Sequence, residues 1–136
     1  MNTGVLKHIQ ANKRGEYSKN PQKLLEWIAK NLPNKKVIMG TGFGPPGIVL
    51  LDMLFKVTKD ISVFYIDTDF FFDQTYDLKS KLEKKYNITF LKFNAELTPE
   101  MQKKQYGDKL WETDPDACCN LRKVLPLKEA LANYDV

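Results

Sequence analysis

Gly40-Thr41-Gly42-Phe43-Gly44-Pro45-Pro46-Gly47 is the stretch whose reading decides the fold. It lies between a short apolar run, Val37-Ile38-Met39, and a longer one, Ile48-Val49-Leu50-Leu51-Asp52-Met53-Leu54-Phe55. That context predicts a strand, a tight loop and a buried helix. In an α/β sheet such a loop lies at the carboxyl end of a strand, where ligands bind. Glycines let the backbone approach a ligand closely, and N–H groups at the start of the next helix favour an anion. Phosphate or sulfate is the expected guest; a glycine-rich turn without a ligand is the alternative.

Working outward, residues 1–20 are polar and read as a loosely packed lead-in that carries His8, the only histidine and most simply a solvated one. Asn20-Pro21 starts a helix, with Leu24, Leu25, Ile28 and Leu32 at helical spacing and Pro33 past its end. Lys35 to Met39 is the first strand. Ile61 to Ile66 is a second, apolar enough to be covered on both faces, and it ends in Asp67-Thr68-Asp69. Asp73 is placed to cap a helix from Gln74 to Tyr86, and Ile88 to Phe93 is a third strand. Thr98-Pro99 opens a short polar helix that reaches Tyr106-Gly107. Alternating strands and helices predict a doubly wound, mainly parallel α/β sheet, with residues 21–136 as one nucleotide-binding domain.

The Asp67-Thr68-Asp69 triplet falls on the same rim as the glycine loop. A carboxylate there accepts from a ribose hydroxyl, or else closes a turn or caps the next helix. Gly42-Phe43-Gly44-Pro45-Pro46-Gly47 also fits G-x-G-x-x-G, with Asp67 twenty residues on, which keeps an NAD-type Rossmann turn in play. Two prolines are awkward in such a turn, because they remove N–H groups that face a pyrophosphate.

Composition narrows the function classes. The chain has 136 residues, 43% of them hydrophobic and 28% charged, which suits a globular domain. A net charge of +4 fits a small anionic ligand and does not argue for nucleic acid. No apolar run matches a membrane span or a signal peptide, and two adjacent cysteines make no secreted disulfide framework, so the cytoplasm is the expected location.

The last third carries the most specific pattern: Trp111-Glu112, Asp114-Pro115, Cys118-Cys119 and Arg122-Lys123-Val124. Two thiols near the first turn of a helix, with a basic pair one turn on, suit metal or redox chemistry. Two buried, inert thiols are the plainer reading.

With these residues in view, the sequence from about Lys36 onward resembles the assimilatory adenylyl-sulfate and phosphoadenylyl-sulfate reductases. The resemblance implies an adenine-nucleotide α-hydrolase-like fold with a modified pyrophosphate loop at Thr41, Gly42, Phe43, Gly44 and Gly47. It implies that this loop, Ile66, Asp67, Thr68, Arg122 and Lys123 contact the substrate, with Gln74-Thr75-Tyr76 beside the adenosine. Cys118 and Cys119 would supply two of the four ligands of a 4Fe–4S cluster, the mark of the branch that uses adenylyl sulfate. In the implied reaction a thiolate attacks the sulfate sulfur and displaces AMP, and thioredoxin or glutaredoxin then releases sulfite. A homo-oligomer is compatible with this reading; a membrane or nucleic-acid partner is not expected. Relatives of this kind continue with a second cysteine pair and a nucleophilic cysteine, so the chain is expected to be a C-terminally incomplete, inactive N-terminal portion. A non-catalytic adenine-nucleotide-binding module is the alternative. Asp69 and three phenylalanines stand where the family often has glycine after Asp-Thr.

Overall fold

Asn20 starts the first helix as its sequence predicts: Oδ1 accepts the Lys23 N–H at 3.2 Å and Pro21 takes the first helical position. This computed structural model describes residues 19–32 and 36–136. The expected lead-in up to residue 18, with His8, and Pro33 after the first helix lie outside the described residues.

In chain order the elements are α1 (Pro21–Asn31), β1 (Ile38–Gly40), α2 (Pro45–Val57), β2 (Ser62–Asp67), α3 (Asp73–Tyr86), β3 (Leu91–Asn94), α4 (Pro99–Tyr106), α5 (Leu110–Thr113) and α6 (Pro115–Cys119). A π-helical turn (Asn120–Val124) and α7 (Leu125–Leu131) follow. The strand order is β1-β2-β3, and β2 pairs with β3 in parallel, Phe64 opposite Leu91 and Asp67 opposite Asn94. This is the expected α/β architecture, a mainly parallel sheet with helices.

The chain divides into two compact units. One runs up to Val63 and takes in Asn133–Val136; the other is Phe64–Ala132. In the first unit α1 packs on α2, whose Leu51 and Leu54 are fully buried. The chain end docks there: Val136 O accepts the Ile38 N–H at 2.9 Å, and Lys36 O accepts the Asp135 N–H at 2.7 Å. In the second unit Phe64, Tyr65, Leu82, Phe90, Leu110 and Ala130 are buried, and α7 packs on β3.

Several boundaries moved for physical reasons. Pro45 and Pro46 belong to the first turn of α2, where a missing N–H costs nothing, so they lie inside a helix and not in the glycine loop. Asp73 is the first residue of α3, whose N-cap is Phe72 without a side-chain bond; α3 closes on Asn87, in the left-handed region that asparagine tolerates (φ 53). No helix among the described residues is long and apolar enough to cross a membrane.

Candidate functional site

The glycine loop is held by Thr41. Its Oγ1 accepts the Phe43 N–H at 3.2 Å, and Phe43 is buried with a left-handed backbone (φ 60). A Cβ at Gly47 would lie 3.0 Å from Thr41 Oγ1, a contact tight enough that the threonine would have to give by a few tenths of an ångström. A Cβ at Gly42 or Gly44 meets nothing within 4 Å, so no neighbour in the described chain explains those two. Close backbone approach to a ligand would explain them. The helix terminus gives less than the sequence promises: Pro45 and Pro46 remove two N–H donors from the first turn of α2. An anion here relies on loop N–H groups more than on the helix.

At the end of β2, Asp67 is almost fully buried and its carboxylate is occupied from within the chain. Oδ1 accepts from the Asp69 N–H at 3.0 Å and from Tyr76 Oη at 2.8 Å, while Oδ2 pairs with Lys92 Nζ at 2.9 Å. Burial alone would push the Asp67 carboxyl up, but the bonds from Lys92, Asp69 and Tyr76 prevail and hold it below its usual range. Burial, and then the bond to Asp67, pushes the Tyr76 phenol up to about 12. The turn-closing role of Asp67 is thus the one on display. Thr68 is buried beside it, and Ile66 is half-buried opposite Phe93.

Arg122 is the largest fully buried side chain, 2% exposed, and it lies in the π-helical turn. That turn has a local cause. Pro126 has no N–H, and its ring would strike the Arg122 carbonyl if the α-helix continued. The chain widens by one residue instead, with the Leu125 N–H donating to Asn120 O. Within it Arg122 Nε donates to Gln102 Oε1 at 2.6 Å and Nη1 to Asp69 Oδ2 at 2.8 Å. The guanidinium stands 5.4 Å from the Phe70 ring centroid. Nη2 is buried without a partner among the described residues. An orphaned charged donor is costly, and an oxyanion would satisfy it.

Arg122 lines a cavity of about 510 Å³ with Thr68, Phe70, Trp111, Cys118, Cys119 and Lys123. Asp114 caps α6 by accepting the Ala117 N–H at 2.9 Å, which sets the cysteine pair at the cavity wall, Cys118 buried and Cys119 exposed. Both are free thiols. Among the described residues no three of His, Cys, Asp or Glu gather as a metal site. The two thiols are half the number that a four-thiolate cluster needs.

Of the residues expected from sequence, Thr68, Cys118, Cys119, Arg122 and Lys123 share this cavity. Thr41, Gly42, Phe43, Gly44 and Gly47 belong to the other unit. Sequence reasoning did not single out Gln102 or Asp69 as partners of Arg122. The signal at Asp69 was its place after Asp-Thr, where the resembled family often has glycine; its backbone is left-handed (φ 61), the conformation that glycine takes freely and aspartate tolerates. Aspartate uses the position to reach the arginine. Gln102 gave no local signal.

A model of the phosphoadenosine phosphosulfate reductase domain matches residues 36–136. The chain is 42% identical over 113 residues to adenosine 5'-phosphosulfate reductase of Halalkalibacterium halodurans, and 37% identical over 112 residues to adenosine 5'-phosphosulfate reductase 1 of Bacillus subtilis. Each match covers 82% of this chain and 48% of the relative, so the chain spans about half the length of the curated relatives it matches. Among solved structures, a phosphate complex of phosphoadenylyl-sulfate reductase from Candida auris is similar with a TM-score of 0.77 and 31% identity, over 97% of this chain and 63% of that one.

Proposed function

The chain belongs to the phosphoadenosine phosphosulfate reductase family, and on that premise we propose that it is part of a reductase of sulfate assimilation. Adenylyl sulfate is the favoured substrate, becoming sulfite and AMP with electrons from thioredoxin or glutaredoxin. The 3'-phosphorylated substrate, which would leave adenosine 3',5'-bisphosphate, is the variant that the name of the Candida auris neighbour suggests. Higher identity to the adenosine 5'-phosphosulfate reductases, 42% against 31%, supports the first choice.

Arg122 is the observation that carries this reading. A permanently charged fork, 2% exposed, forms part of a cavity wall with one nitrogen unpartnered. Gln102 and Asp69 hold the guanidinium in place at the cavity wall, and a fixed cation beside the sulfate is the preorganised form of electrostatic stabilisation. Lys123, exposed on the same cavity, adds a second positive charge. The substrate contacts expected at Thr41, Gly42, Phe43, Gly44, Gly47, Ile66, Asp67 and Thr68 belong to the same proposal. The open space at Gly42 and Gly44 supports the loop's share of it.

Cys118 and Cys119, on the wall of the same cavity, would supply two of the four thiolates of a 4Fe–4S cluster, which when bound would add thiolate-held iron to the chemistry of the site. The sequence holds two cysteines, so two further ligands and the attacking thiol must come from outside these 136 residues. A reducing compartment keeps both thiols free, which supports the cytoplasm.

Titration calorimetry of the chain with adenylyl sulfate, AMP and NAD tests the reading. We expect adenylyl sulfate to bind more tightly than AMP, NAD not to bind, and no sulfite to form with reduced thioredoxin. Binding of NAD alone would overturn the assignment, and sulfite formation would refute the need for an outside thiol.

A further inference from the structure

Gln102 is a buried polar side chain on a helix that has little reason to bury one. On α4 its neighbours Glu100, Met101, Lys103, Lys104 and Gln105 are all exposed, whereas Gln102 is 3% exposed. Its amide lies between two groups of the cavity wall. Oε1 accepts from Arg122 Nε at 2.6 Å, and Nε2 stands 3.9 Å from Cys118 Sγ. The two ends are not interchangeable. A flipped amide would aim its NH2 at the guanidinium N–H, donor against donor, so the arginine fixes which end meets the sulfur.

We propose that Gln102 is a positioning residue of the anion pocket: with Asp69 it clamps the Arg122 guanidinium on two edges, so that the group is held at the cavity wall beside the sulfate, and it ties that clamp to Cys118. The proposal rests on reading the cavity as the anion site. A guanidinium is a rigid plane, so fixing Nε through Gln102 and Nη1 through Asp69 also fixes the direction of Nη2. Residue type matters here. A neutral amide accepts from Nε without adding to the one negative charge that Asp69 already sets against the guanidinium, whereas a carboxylate at 102 would make the group net negative and set that charge against the thiol. An apolar side chain of like size would fill the space but leave Nε unpaired, which costs more than the bond gains. Asparagine is one methylene short.

The test is Gln102→Leu in the full chain, with affinities for adenylyl sulfate and AMP measured side by side. Adenylyl sulfate should bind about tenfold more weakly, while AMP, which lacks the sulfate, keeps its affinity. A general packing defect would weaken both. Equal losses, or no loss of adenylyl sulfate affinity, would overturn the proposal. NMR of the arginine side chains gives a readout that needs no ligand. The Arg122 Nε–H should exchange slowly with solvent in the parent chain and quickly in the leucine variant; fast exchange in the parent already sinks the clamp, even if the variant does not fold. A parent chain with a protected Nε–H that fails to bind adenylyl sulfate would instead refute the function proposed above, and with it the clamp's role at an anion, leaving only the contact of Gln102 with Arg122.

Discussion

Asp69 shows how one side chain acts through another. Its carboxylate is 27% exposed, so by itself it has water to fall back on. Its partner Arg122 is 2% exposed and has none. Removing the aspartate therefore strands a buried charge, whereas removing the arginine lets the aspartate rehydrate. Breaking a fully buried pair costs about 3–5 kcal/mol; with Gln102 still bound to Nε and Asp69 partly hydrated, we expect about 2 kcal/mol for Asp69→Ala. Asp69→Asn keeps an acceptor oxygen and suits the left-handed backbone at φ 61, so its cost should stay near 1 kcal/mol. Urea unfolding of both variants checks the order; an alanine variant as stable as the parent would mean that Arg122 does not depend on this partner.

At the scale of elements, the local signals were legible and the long-range ones were not. Asn20-Pro21 and Thr98-Pro99 each place a capping oxygen before a proline, and both open helices where expected. The apolar run through Val63, Phe64 and Tyr65 reads as a covered strand because its neighbours in sequence are enough to define it. Arg122 and Lys123 were legible as cations, but the burial of Arg122 was not, because it depends on Gln102 twenty residues earlier and Asp69 fifty-three earlier. The glycine loop read as one unit, although its two prolines open α2. Nor was the π-helical turn legible, although its cause, Pro126, stands in plain sight; a proline four residues after the key arginine dictates the widening only if the helix runs through both. Pro126→Ala restores the N–H and removes the ring, so the turn can close to an ordinary α-helix. Arg122 would then rotate away from Asp69 and Gln102. Helix content by circular dichroism should hold or rise while affinity for adenylyl sulfate falls about tenfold. Unchanged affinity would show that the widened turn does not set the arginine.

For the molecule as a whole, two carboxylates act as fasteners of the second unit. Asp67, at the end of β2, takes bonds from Tyr76 of α3 and Lys92 of β3. Glu83 of α3 accepts the Phe90 N–H at 3.0 Å and pairs with Lys79 at 2.9 Å. At both sites burial pulls the carboxyl up, and the hydrogen bonds outweigh it and hold it low. A carboxyl depressed on folding adds stability above its unfolded value, about 4 for both residue types, and that stability is lost as the pH falls through the folded value. Tyr76 closes the window from the other side. Its phenol, raised to about 12, adds stability that is whole below its unfolded value near 10 and lost as the pH rises through 12. The second unit should therefore keep a constant urea midpoint from roughly pH 5 to 9 and lose it at both ends. The chain carries one tryptophan in each unit, Trp27 in the first and Trp111 in the second, so Trp27→Phe leaves Trp111 fluorescence as a reporter of the second alone. Asp67→Asn with Glu83→Gln should lower the midpoint at pH 7 and flatten its fall below pH 4. A parent midpoint at pH 3 equal to that at pH 6 would show that neither carboxylate fastens the unit.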